Sequence, residues 1–251
     1  MNMVKVRSCP SRNLPKPFRC VHFPDFLTGS DPLLFPSTGC FPRPNFFLLI
    51  LALSFLHLLP KVFAEELSEA EALFQSGKYA ECIALTGKEI EDGDFSETWR
   101  ELRIESQLAS GRYPDALKSL EEALRRYEES IRLRWLGCKV YRLNGQSETA
   151  ATQLAEIKKR FESSPYRYRN ALDMVVLGKY YLDQGEDAKT ILDSIYKKVQ
   201  QDQPRIAEGF TAAGELALTK QDFGLAAAQY EKAVKLDPDD PAIHFALAQA
   251  Y

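Results

Sequence analysis

The sequence predicts an all-α fold: a right-handed superhelix (an α-solenoid) of antiparallel helix pairs, preceded by an N-terminal signal peptide and a disordered leader. Three observations predict it. Downstream of Ala64 the chain reads as helix nearly throughout, punctuated by Gly or Pro at regular intervals. One stretch, "AEGFTAAGELALTKQDFGLAAAQYEKAVKLDPDD" (207–240), is a 34-residue unit whose features recur upstream. The turns "SGKY" (76–79) and "SGRY" (110–113) repeat almost unchanged, which chance rarely supplies.

Residues 1–44 read as neither helix nor strand, because prolines recur through 10–44 and no alternation suggests strands. We expect a disordered leader there that falls outside the translated protein, with translation starting near residue 40. Residues 45–64 follow the order of a secretory signal: Arg43, the apolar run "FFLLILALSFLHLL" (46–59), then Val62 and Ala64 at the small-residue spacing of a cleavage site. Cleavage is expected after Ala64. The apolar run of 14 residues falls short of the roughly 20 a membrane span needs, and an uncleaved anchor is the alternative. The protein is therefore expected to be exported, periplasmic or extracellular, and to meet a membrane only through this segment.

The 32 basic and 35 acidic side chains of the whole chain leave 25 basic and 33 acidic ones in 65–251, a net charge of −8. An acidic body argues against nucleic acid as a partner, since phosphate contacts need a basic footprint.

Five units and a fragment follow Ala64. Numbered from Ala207, the clearest unit has Phe210 at position 4, Gly214 at 8, Ala226 at 20, Tyr230 at 24, Ala233 at 27 and Pro238 at 32. In chain order, 66–85 places Ala70, Gly77 and Cys82 at positions 8, 15 and 20. Residues 99–124 place Gly111, Ala116, Leu120 and Ala123 at 15, 20, 24 and 27. In 131–157 Gly145 and Ala150 fall at 15 and 20, while Gly137 and Cys138 compete for position 8. Residues 174–198 place Gly178 at 8 and Gly185 at 15; this unit reads as having a loop two residues short and a second helix extended before Pro204. Small residues at 8 and 20 let two helix backbones approach, large ones at 4 and 24 fill the space left, and Pro238 stops the second helix.

This pattern resembles the tetratricopeptide repeat, over roughly 65–251. The resemblance implies about five repeats plus the first helix of a sixth, "PAIHFALAQAY" (241–251). Stacked repeats bury their apolar faces only on neighbours and end in polar faces, so Phe245, Leu247 and Tyr251 predict a chain that is C-terminally incomplete.

Chemistry is sparse. Downstream of Ala64 there is one histidine, His244, read as packed, and two cysteines, Cys82 and Cys138. Those cysteines fall at small-residue core positions, two helices and a repeat offset apart, beyond disulfide reach; buried free thiols are expected. No metal site, cofactor or catalytic motif is predicted. What remains is a protein–protein interaction scaffold, not an enzyme. The alternative is the N-terminal repeat region of a longer exported enzyme with a hydrolase-like domain beyond Tyr251. The resemblance implies that positions 2, 5, 9 and 12 of first helices line an inner face. There Arg132, Trp135, Lys139 and Arg142, with Lys179, are the candidate partner-binding residues for an extended acidic peptide. The basic break "KKRFESSPYRYRNALD" (158–173) reads as a connection between repeats.

Overall fold

The computed structural model describes residues 59–251, with side chains from Glu66 onward; the leader and most of the signal segment lie outside the described residues. The described residues are helical: α1 (Leu59–Gln75), α2 (Tyr79–Glu91), α3 (Glu97–Ala109), α4 (Tyr113–Arg126), α5 (Ile131–Leu143), α6 (Ser147–Ser163) and α7 (Ala171–Asp183). These are followed by α8 (Ala188–Ile191), a π-helical segment (Leu192–Tyr196), α9 (Lys197–Asp202), α10 (Glu208–Thr219), α11 (Phe223–Leu236) and α12 (Pro241–Ala250). They form an antiparallel helix-pair solenoid. Each pair comprises a first helix A (α1, α3, α5, α7, α10) and a second helix B (α2, α4, α6, α8 to α9, α11), and α12 packs on the fifth pair in the place of a first helix. The residues of the expected cleavage site lie within α1. No described helix is long and apolar enough to cross a membrane.

One turn closes every pair. The position-16 amide donates to the position-11 carbonyl: Lys78 to Leu73 at 2.9 Å, Arg112 to Gln107 at 2.8 Å, Gln146 to Tyr141 at 2.8 Å, Glu186 to Tyr181 at 3.0 Å and Asp222 to Ala217 at 2.9 Å. This bond defines a Schellman stop, which needs a left-handed residue just before its donor. Gly77, Gly111, Gly145 and Gly185 supply it with φ of 76°, 75°, 76° and 89°. In the fifth repeat Gln221 is held there at φ 60°, where a side chain is strained. α3, α5, α7 and α12 start at side-chain caps, for example Ser130 accepting from Leu133 N at 3.0 Å and Asp240 from Ala242 N at 2.7 Å, whereas α10 starts at Ala207 without one.

Inside each pair, helix approach decides the residues. Gly214 lies under the ring of Tyr230, and a Cβ there would come within 2.9 Å of it. Gly178 lies in the same way under Tyr196. Phe210, Ala226 and Ala233 are buried in the same cluster as Tyr230, and Pro238 sits in the turn just after α11. Cys138 takes the place across from Ala150, its Sγ donating to the Ala150 carbonyl at 3.6 Å, as Cys82 does to Ala70 at 3.4 Å. Gly137 instead touches Leu120 of the preceding repeat. Apolar clusters follow one another along the stack instead of merging into one core, so each repeat draws stability from its neighbours.

Three expectations need correction. The fourth repeat's loop is longer, not shorter: α8 begins three residues after Gly185, whereas α11 begins two after Gln221. The π-helical turn adds another residue, so Tyr196 follows Gly178 by eighteen positions where Tyr230 follows Gly214 by sixteen. The extra π turn returns the ring to its glycine. His244 is exposed, not packed, with a ring nitrogen 2.8 Å from the Pro238 carbonyl. Of Phe245, Leu247 and Tyr251, Leu247 packs on the α10–α11 core, while Phe245 and Tyr251 are 66% and 82% exposed.

Candidate functional site

The A helices of adjacent repeats pack directly on one another, α1 on α3, α3 on α5, α5 on α7, α7 on α10 and α10 on α12. No two B helices do so comparably among the described residues. The A helices therefore sit on the inside of the curve, and their side chains face the inner surface.

That surface is largely self-neutralised. Arg132 donates its Nε to Glu101 Oε1 at 2.9 Å and its Nη2 to the other oxygen, with Glu97 4.0 Å from Nε. The pair is mostly shielded, with side-chain exposures of 18% and 16%. Burial pushes the Glu101 carboxyl up, against the pull of the guanidinium. Burial also works to lower Arg132, but the hydrogen bond and charge of Glu101 outweigh it. Ser130 Oγ donates to Glu97, tying the start of α5 to α3. Burial likewise raises Glu105, countered by Lys139, Arg132 and Lys179, and raises Asp173, countered by its Asn170 hydrogen bond and by Arg132. Lys179 is matched to Glu215 at 3.1 Å.

The five sequence-derived candidates thus divide. Arg132 and Lys179 are spoken for by carboxylates of neighbouring repeats. Trp135 is half-buried against Ile131, Ile157 and Leu177. Lys139 and Arg142 are exposed and, among the described residues, have no carboxylate within ion-pair distance. Sequence reasoning missed Glu97, Glu101 and Asp173 as partners. Their signal was the acidic first helix of one repeat lying beside the basic first helix of the next.

Elsewhere, a cavity of about 420 Å³ lies between α1 and the turn after α11, lined by Glu71, Gln75, Arg205, Glu208 and Asp237 among others. Gln75 Nε2 donates to Asp237 Oδ2 across it at 3.4 Å. Burial, then Glu208 and Asp237, raise the Glu71 carboxyl. Among the described residues no group of acidic, histidine or cysteine side chains is arranged to hold a metal. Cys82 and Cys138 are buried free thiols; burial pushes Cys138 to about 11 and raises Cys82 as well.

Comparison with known proteins agrees with this geometry. A family described as "Tetratricopeptide repeat" matches residues 102–167, and one described as "TPR repeat" matches 214–251. No curated protein matches the sequence. Among solved structures, the thermophilic TPR protein TTC0263 of Thermus thermophilus superposes with a TM-score of 0.52 at 19% identity, over 74% of this chain and 97% of that one. The human IFIT1 dimer with PPP-AAAA gives 0.51 at 17% identity, over 74% of this chain and 45% of that one. At such identities the likeness speaks to architecture alone. The matched segments, the five Schellman turns and the small-against-large packing together give the described residues the tetratricopeptide-repeat fold.

Proposed function

We propose that these repeats are a non-catalytic docking scaffold that reads an extended, acidic protein or peptide segment on the inner face. One observation carries the reading: where Arg132 and Lys179 are held in ion pairs by neighbouring repeats, Lys139 and Arg142 are exposed with no carboxylate within ion-pair distance among the described residues, one and two turns from the indole of Trp135; Lys139 acts on Glu105 only through space. An unpaired cation gives up no existing partner on binding a carboxylate, whereas Arg132 would have to leave Glu101. The half-exposed indole offers apolar contact and orientation to the residues between such carboxylates. Nucleic acid is a poor fit to a body of net charge −8. The signal-like segment at 45–64 supports export to the cell envelope or exterior, where the partner would be met.

A photo-crosslinking amino acid placed at Trp135 in cells tests this. Capture of a discrete protein, lost when the same group is placed at exposed Glu121 of α4, supports the assignment. Equal capture from both positions counts against it.

A further inference from the structure

A second surface lies outside the inner face, along the edge where each B helix turns into the next A helix. Three such turns are stitched side by side. Tyr127 Oη donates to the Phe95 carbonyl at 2.5 Å, joining the first turn to the second. Tyr168 Oη donates to the Glu129 carbonyl at 2.9 Å, and Arg160 Nε to the Glu128 carbonyl at 2.6 Å, joining the second to the third. The basic break in the repeat pattern is therefore a docked part of a continuous ridge.

Three of the four cation–π pairs among the described residues stand on this ridge, and all three use arginine. Arg126 lies 4.4 Å from the ring centre of Phe95, Arg169 4.4 Å from Tyr166, and Arg100 5.3 Å from Tyr127. None of these arginines has a carboxylate within ion-pair distance among the described residues. Phe95 and Tyr166 are 70% and 76% exposed, so each ring keeps apolar surface that a bound segment can cover. A guanidinium held over a ring has lost part of its rotamer freedom already, so less remains to be lost on forming a two-pronged bond to a carboxylate.

We infer that this ridge is a docking surface for an acidic protein segment, with carboxylates taken by Arg126 and Arg169 and apolar side chains covering Phe95 and Tyr166. Glu128 and Glu129 lie between the stacks. They would repel the evenly charged backbone of a nucleic acid, while a peptide with spaced acidic residues passes over them. This surface is independent of the inner-face reading.

The test uses the full chain and a fluorescein-labelled peptide of repeated Glu-Leu-Gly, followed by anisotropy. The wild type should bind it, and the peptide with Gln in place of Glu should not bind. In a Lys139→Glu/Arg142→Glu background, which removes the inner-face cations, Arg126→Ala/Arg169→Ala should raise Kd about tenfold or more, whereas Lys118→Glu, exposed on α4, should leave it unchanged. Arg126→Lys, which keeps the charge but not the fork, should weaken binding by itself; circular dichroism verifies that each variant is folded. Absence of binding, equal binding of the Gln peptide, indifference to the Arg126/Arg169 pair, or tighter binding of a single-stranded oligonucleotide would overturn the assignment.

Discussion

Replacing Gln221 by glycine should stabilise the protein. Gln221 holds φ 60° at the position where four other repeats have glycine between 75° and 89°. It is kept there by the same stop, with Gln221 N donating to Leu218 O at 3.0 Å and Asp222 N to Ala217 O at 2.9 Å. A left-handed residue with a side chain costs about 1–2 kcal/mol. Glycine recovers that but is freer in the unfolded chain, by roughly 0.5–1 kcal/mol. The balance is a gain of about 0.5–1 kcal/mol, or about 1–4 °C in Tm for a chain of this size. The reciprocal change, Gly145→Gln at φ 76°, should cost a similar amount; added space is no obstacle, because nothing lies within 4 Å of a Cβ there. Urea unfolding followed by far-UV circular dichroism measures both. Should Gln221→Gly be neutral or destabilising while Gly145→Gln is harmless, the shared turn geometry is not what these positions are selected for.

Gly214→Ala should destabilise by about 1–3 kcal/mol, since the new methyl would meet the buried Tyr230 ring at 2.9 Å; thermal unfolding reads it, and an unchanged Tm would contradict the packing. A double-mutant cycle of Glu101→Gln and Arg132→Met should give a coupling of about 1–3 kcal/mol, because both partners are shielded; additivity of the two changes would mean the pair is idle. Stability should fall as pH rises. Glu71, Glu101, Glu105 and Asp173 are all pushed up by burial when folded. Above the ordinary carboxylate range the folded state carries the extra protons, so Tm should be higher near pH 5 than near pH 8. A Tm that climbs over that interval is the contrary result. Cys138, raised to about 11 by burial, should resist iodoacetamide in the native protein and react in urea; native labelling would show the site is open.

What could be read from the sequence is what repeats or is local. The turn glycines, the small residues opposite large ones and the burial of Cys82 and Cys138 follow from spacing alone, because a helix pair meets at fixed intervals. The inner-face cations were placed on the right helices by the same spacing. Their electrostatic fate was not legible: Arg132 and Glu101 are thirty-one residues apart, and only the packing of α3 on α5 brings them together. The π turn escaped because a helix that gains one residue has the composition of an ordinary one. His244 misled because position 4 is buried in the preceding repeat, at Phe210, but exposed in α12. The ridge of arginine–aromatic stacks is built from three turns separated by whole helices, so no window of sequence contains it.

The inner-face scaffold stands or falls on whether the two unmatched cations carry partner binding. Once crosslinking at Trp135 has identified a partner segment, its affinity should be measured by isothermal titration for the wild type and for Lys139→Glu/Arg142→Glu. Two reversals at about 1 kcal/mol or more each predict a loss of roughly tenfold to a hundredfold, shrinking as salt is added. An affinity unaltered by the double reversal at low salt would contradict the account.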